Sequence, residues 1–565
     1  APAALSRGPA DETSAPHYLR QPCHNPSVPE RSAQLAIVAA FAVLAFLFLA
    51  PGYIRPDSVA VFSYLRSAVI DGDFAFFNEW ASAGLVRGGV TMFSEVTPAG
   101  ALANHWWIGT SILSAPSYLI SRLFHGPPDG FSGIYGVVLA MTNVAFAAWT
   151  MLIAWSFIKQ KTAIPILATL LGTPFFWYAF LFPLGTHMAG ALAIALVFVA
   201  LFRSDSGAAA GLATGLAIIV RLQHFVIIPA VLYVAWQQRR RLEWWLAAIG
   251  GGALAIACQA AAWLAIYGTP LGPLTRGASL AGTTWMPFRN IALMPVLFSS
   301  YHGLFAWSPV VFLAILGWIS AARSFEAERS MLAVASLLMF AGEWIANGTF
   351  DRYWWGGMSF GPRRFVDLAM PIAIGLAYFA TAISSRAAYA LMIACSLWTV
   401  GLMAAAEAHT ISLARFVTGA DLVHAVTAPE TWHRLGSIDL HSPITNVLLA
   451  KQAFVALLVV AAVSLVASML NARAMTIGMA LVLAVIIVVA VRTPSRASAS
   501  AQALQINIEA SKHVGPLLDE RGLLMDELAW RRSDETIREL QQIDAILNGA
   551  ATASSPRAGG PPPPH

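Results

Sequence analysis

Three polar constellations stand out in this apolar chain by residue type and spacing. The first is a single carboxylate, Asp57, at the head of the segment 57–70, a few residues past the end of the first apolar run. Aspartate is among the best helix-capping residues, and a cap is the commoner role for an acid at a helix start. A carboxylate fixed at a membrane edge is also partly desolvated, which raises its proton affinity toward the range where a general base works. The second constellation runs from Phe350 to Phe365 and holds Asp351, Arg352, Trp354, Trp355, Arg363 and Arg364 among glycines and a proline. Paired arginines at a helix start, with free backbone N–H groups beside them, suit a phosphate or pyrophosphate. The tryptophans there either stack on a sugar or belong to an interfacial aromatic belt, and for either one alone the belt is the commoner role. The third runs from Ser299 to Pro309 and carries His302, with Arg289 upstream. Anchoring is the commoner role for such an aromatic turn. His105 and His187 are lone histidines, each read by default as a satisfied polar residue at a helix start.

The composition decides what must position these groups. Of 565 residues, 58% are hydrophobic and only 11% charged, with mean hydropathy +0.65. An average soluble domain is about 45–50% apolar and about 25% charged. Repeated apolar runs near bilayer-spanning length make this an all-α polytopic membrane protein. The net charge of +5 does not imply nucleic acid, because the basic residues punctuate the apolar runs and form no patch. Cys23, Cys258 and Cys395 are too far apart for a disulfide framework or a metal motif. No CxxC, HExxH, GxSxG or P-loop occurs, which excludes ATP-driven transport encoded by this chain alone.

The apolar runs predict about thirteen transmembrane helices: 35–50, 133–157, 163–182, 186–202, 207–221, 225–237, 244–267, 303–321, 331–347, 366–384, 388–407, 448–470 and 475–491. Residues 1–33 read as a disordered cytoplasmic leader, 34–492 as the transmembrane domain and 493–565 as a periplasmic tail. That tail holds one helix, about 502–548, and a disordered Gly/Pro-rich end. The first outer loop, 51–132, is expected to hold two interfacial helices. One is an amphipathic helix begun by Asp57. The other spans Trp106 to Phe124 and is interrupted by Pro116. With both on the surface, the connections bearing Lys159 and Lys161, Arg203, Arg239 to Arg241, Arg323 with Arg329, Arg386 and Arg473 all fall on one side. Short basic connections are cytoplasmic, so the N-terminus is inside and the C-terminus outside. Two adjacent arginines at 363–364 on the outer side depart from that pattern, and this departure is the strongest physical sign of an anionic ligand. The segment around Arg221 and His224 is short and reads as a broken hairpin.

One apolar span followed by Pro56-Asp57-Ser58, an interfacial helix and Asp71-Gly72-Asp73-Phe74, then a second interfacial helix and many spans, resembles the GT-C superfamily of membrane glycosyltransferases. That group includes protein O-mannosyltransferases and lipid A aminoarabinose transferases. The segments 105–116, 302–309 and 354–364 resemble those of uncharacterised bacterial members, and the likeness covers roughly 33–490. It implies an inverting glycosyltransferase of the bacterial inner membrane. Such an enzyme takes a sugar from a polyprenyl-phosphate carrier and passes it to a periplasmic glycolipid or polysaccharide. Asp57 is then the catalytic base, and Arg363 and Arg364 bind the donor phosphate, with Arg352 and Arg289 as lesser candidates. Relatives often carry two adjacent acids after the first span, and this chain has Ser58 in the second place. The Lys-Pro-Pro motif frequent on the second interfacial helix is absent. No cofactor is called for with certainty, although such enzymes admit a divalent metal. The rival readings are a glycolipid transporter or flippase and a polysaccharide polymerase or ligase. Against transport stand the lack of a clear repeat and the few ionisable residues inside spans, Glu343 and Arg221.

Overall fold

The computed structural model describes residues 28–49, 56–76, 79–80, 97–124, 130–131, 133–159, 162–276, 291–350, 354–357, 359–413, 415–436, 459, 463, 472–493, 537–538 and 541–542. Every regular element among them is helical. In chain order they are α1 (Val28–Phe48), α2 (Pro56–Arg66), α3 (Gly109–Ser121), α4 (Ile134–Phe157), α5 (Ile164–Gly172) and α6 (His187–Phe202). Then come α7 (Gly207–Val220), α8 (Ile228–Gln237), α9 (Leu242–Tyr267), α10 (Leu293–Phe298), α11 (Val310–Ala322) and α12 (Ala327–Thr349). The chain continues through α13 (Ala369–Ala382), α14 (Ser385–Glu407), α15 (Gly419–Thr427), α16 (Pro429–Gly436) and α17 (Ala472–Arg492). Five segments are long and apolar enough to cross a membrane: α4, α9, α12, α14 and Arg363–Ala382, which comprises a 3-10 turn and α13. Apolar helices stand at the other expected spans but are shorter, and 448–470 lies outside the described residues apart from 459 and 463, as does nearly all of the expected tail helix.

Small residues let the helices approach. Gly207, Gly211 and Gly215 face α9, and a Cβ on Gly211 would lie 1.7 Å from the Ala248 carbonyl oxygen. Gly317 of α11 meets Gly375 of α13 in the same way, at 1.9 Å from its carbonyl oxygen. Without a hydrophobic drive between helices in lipid, close backbone approach supplies the packing energy.

The basic connections meet at one end of the bundle. Lys159 pairs with Glu326, Arg203 with Glu328 at 3.0 Å, and Arg240 with Asp205 at 2.9 Å. The helix breaks gather around the turn before Arg363. After α5 the chain turns at Thr173-Pro174 into a π-helical turn, Trp177–Leu181, and Ser308-Pro309 separates a single turn, Leu304–Trp307, from α11. Proline forces such breaks because it lacks the N–H that would bond to the previous turn.

Two expectations for the first outer loop are corrected. The helix begun by Asp57 does not leave an amphipathic face free, since residues 58–67 are all buried. Its second face is covered by the chain from Asn104 to Ser111. The Asn104 amide donates to the Ala60 carbonyl at 2.9 Å, Ser111 Oγ to the Val61 carbonyl at 2.7 Å, and Tyr64 Oη to the Trp106 carbonyl at 3.0 Å. Pro116 does not interrupt the second helix either, because α3 runs through it. At 13 residues, α3 is about 20 Å long, short of the roughly 30 Å apolar thickness of a bilayer.

Candidate functional site

The turn carrying Trp354, Trp355 and the arginines is clamped from two sides. Trp177 stacks on Phe360 with centroids 4.7 Å apart, and Trp307 meets the same ring edge-on at 5.2 Å. Tyr178 Oη both accepts from the Phe360 N–H, at 3.1 Å, and donates to its carbonyl, at 3.2 Å. Gly356, at φ +84°, lets the turn fold onto the Arg363 side chain, whose Nε would lie 3.0 Å from any Cβ placed there. The chain then enters a 3-10 helix, Arg363–Leu368, whose first two residues are the paired arginines.

Behind this helix lies a buried polar network that most of its members did not announce in the sequence. Asp367, with no exposed surface, accepts on Oδ2 from Arg221 Nη1 at 2.8 Å and faces His224 Nε2 at 2.7 Å. Arg221 Nη1 also lies 2.8 Å from His187 Nδ1. Arginine only donates, so His187 carries its hydrogen on Nε2. Gly190 leaves room for this packing, since a Cβ would fall 2.8 Å from the Asp367 carboxyl carbon. Gln223 extends the network, accepting from Arg221 at 3.1 Å and donating to Glu343 and to the Arg364 carbonyl, each at 3.3 Å. Arg364 Nη1 donates to Asn347 Oδ1 at 3.2 Å. The few ionisable residues expected inside spans, Glu343 and Arg221, thus belong to a larger set. Asp367 was missed because a lone acid in an apolar run gives no periodic signal. Its position three residues after Arg364, facing away from the arginine pair, was the available clue.

The front of the same helix bears a shallow recess of about 10 Å³, lined by Val296, His302, Trp354, Trp355, Pro362, Arg363, Arg364 and Phe365. Trp354 and Trp355 are buried, 5% and 2% exposed, with rings 5.8 Å apart in a T-shape, so they wall the recess and face no lipid headgroups. Arg363 has no carboxylate within ion-pair distance among the described residues, and its Nε has no hydrogen-bond partner there. Asp57 lies within coulombic reach of the Arg363 guanidinium, so the acid and the arginine turn share one end of the bundle. Asp57 itself is exposed on the protein surface. Asp57 lies in the first turn of α2 as it is described from Pro56.

His302 is 2% exposed and sits at φ +60°. Its Nδ1 lies 3.0 Å from the Trp355 carbonyl oxygen, which can only accept. The proton is therefore on Nδ1, and Nε2, which has no partner among the described residues, is a bare acceptor. Burial depresses this ring to about 4, opposed by the Trp355 carbonyl and aided by nearby Arg363. The ring is neutral at pH 7.

The other expected site residues fall elsewhere. His105 is buried against Tyr267, with ring centroids 6.5 Å apart, and does not line the recess. Arg289, Asp351 and Arg352 lie outside the described residues. Beneath α2, Glu79 is fully buried and paired with Arg66 at 2.9 Å, and Arg66 also binds Asp71. Among the described residues no three His, Cys, Asp or Glu side chains gather to hold a metal, so no step is routed through one.

No family model and no curated protein matches the chain. Two solved structures are similar, both of ArnT from Cupriavidus metallidurans. The one bound to undecaprenyl phosphate has 14% identity and TM-score 0.42, over 81% of this chain and 77% of that one. The one in the apo state has 15% identity and TM-score 0.41, over 82% and 77%.

Proposed function

We propose that this chain is an inverting glycosyltransferase that moves a sugar from a polyprenyl-phosphate carrier to a glycolipid or polysaccharide acceptor. It works at the periplasmic face of the bacterial inner membrane, with its N-terminus inside and its C-terminus outside. Nucleic acid has no part in it. The observation that carries this reading is the arginine turn. Arg363 opens on a recess without a carboxylate partner among the described residues, at the end of the bundle opposite the basic connections. A partly buried guanidinium with no carboxylate at ion-pair distance, Asp57 acting on it only from further off, favours a ligand that brings an anion into contact. A lipid-borne phosphate, held at the interface by its tail, is an anion that reaches this height.

The chemistry then divides between two groups. As the acceptor oxygen bonds to the anomeric carbon, Asp57 takes the hydroxyl proton. The bond from that carbon to the phosphate oxygen breaks, its electron pair stays on the phosphate, and Arg363 and Arg364 stabilise the charge that develops. Asp57→Asn abolishes transfer while leaving expression and thermal stability at wild-type values. Arg363→Ala weakens use of the donor by about tenfold or more, as loss of a charge-assisted bond implies. A product assay with radiolabelled polyprenyl-phosphate sugar in nanodiscs measures both, and near-normal turnover in Asp57→Asn removes that residue as the base.

One observation favours a second reading, a flippase for an anionic glycolipid. The Arg221–Asp367–Glu343 network lies at the break between α7 and α8, and discontinuous helices bearing ionisable groups are a transporter feature. Movement of labelled lipid across proteoliposomes without a new glycosidic bond decides for transport.

A further inference from the structure

Within the recess, donors and acceptors are unevenly placed. Arg363 and Arg364 only donate, and they face the anionic part of any ligand. The one bare acceptor among its described polar side chains is His302 Nε2. Its state is fixed by geometry: the Trp355 carbonyl takes the Nδ1 hydrogen, so Nε2 keeps its lone pair. A buried acceptor left unpaired is destabilising. The chain nevertheless holds the ring there from several sides. Tyr301 stacks on it at 4.6 Å, Trp307 meets it edge-on at 5.1 Å, and the backbone at 302 takes a left-handed conformation that few side chains adopt without a constraint. In a glycosylated carrier the phosphate is a diester whose ionised oxygens carry no hydrogen to give this nitrogen, so the group that suits the arginines cannot satisfy it. A hydroxyl can.

Resting on the donor reading, we propose that His302 Nε2 accepts a hydrogen bond from a sugar hydroxyl of the ligand whose phosphate Arg363 holds. The recess thereby distinguishes a glycosylated carrier from the bare polyprenyl phosphate left after transfer. Trp354 and Trp355 wall this subsite, and the Nδ1 bond to Trp355 ties the histidine to the same turn that carries the arginines.

The experiment compares two probes, polyprenyl phosphate and polyprenyl-phosphate glucose, bound to the full-length protein in nanodiscs. Wild type holds the glucosylated lipid more tightly. His302→Asn keeps a donor for the Trp355 carbonyl, tolerates the left-handed backbone and removes the acceptor at the Nε2 position. It weakens the glucosylated lipid by about threefold to tenfold, the range for one neutral hydrogen bond, and leaves the bare phosphate at its wild-type Kd. His302→Gln places an amide oxygen near the Nε2 position and restores most of the loss. Binding of the bare lipid is the control for folding in both variants. Equal Kd changes for the two lipids in His302→Asn, or none, overturn the inference while the donor reading stands. Unchanged binding of both lipids in Arg363→Ala overturns the donor reading, and the inference with it.

Discussion

Glu79 is a fully buried carboxylate outside the expected spans, and its surroundings make it pH-sensitive. Burial raises it from 4.5 to about 7, against the pull of Arg66 and with some push from Asp71. In the unfolded chain it titrates near 4.5, so between pH 4.5 and 7 the folded state holds a proton that the unfolded state has lost. Stability is therefore full below the lower value and falls as pH rises to the higher one. The difference amounts to roughly 3 kcal/mol at about 1.4 kcal/mol per pH unit. Thermal melts in detergent show the wild type losing stability from pH 5 to 7.5, with that slope absent in Glu79→Gln. A slope that survives the substitution places the titrating group elsewhere.

Among the elements, α7 and α9 bring the Arg221 end of α7 against the rest of the bundle, and they pack backbone to backbone. A side chain at Gly211 meets the Ala248 carbonyl, whereas a Cβ at Gly250, on α9 itself, meets nothing within 4 Å. Gly211→Leu forces the helices apart at a cost of about 1–3 kcal/mol, in the range for overpacked interiors. Gly250→Ala is neutral or stabilising by up to about 1 kcal/mol. Melting temperatures of the pair check this, and equal tolerance at both positions refutes the close approach. The 3-10 helix at Arg363–Leu368 works by a related economy. Its short length turns Arg363 and Arg364 to the recess and Asp367 to the network, so one element fixes the front and back of the site.

At the scale of the whole molecule, the prediction is one of sidedness. The connections bearing Lys159, Arg203, Arg240 and Glu326 meet at one end, while Asp57 lies within coulombic reach of Arg363 at the other. In a background with Cys23, Cys258 and Cys395 replaced, Asp57→Cys reacts with a membrane-impermeant maleimide from outside, and Ser204→Cys and Glu326→Cys react only after permeabilisation. Labelling of all three from one side contradicts the alternating topology on which the donor reading depends.

The sequence by itself determined the class, the rough placing of the apolar helices among the described residues and the location of the arginine turn. Each depends on composition or periodicity, which are local along the chain and act through transfer of apolar residues out of water. It also supplied Asp57, Arg363, Arg364 and His302 as candidates, because charge and aromatic turns stand out against apolar runs. The tertiary structure alone decided which of them meet. It set His105 against Tyr267, enclosed the helix after Asp57 under residues 104–111, and joined Arg221, His187, His224, Glu343 and Asp367 from four separate stretches of chain. A buried polar group must find its partners wherever the fold brings them, and that pairing leaves no trace in the spacing of any one segment.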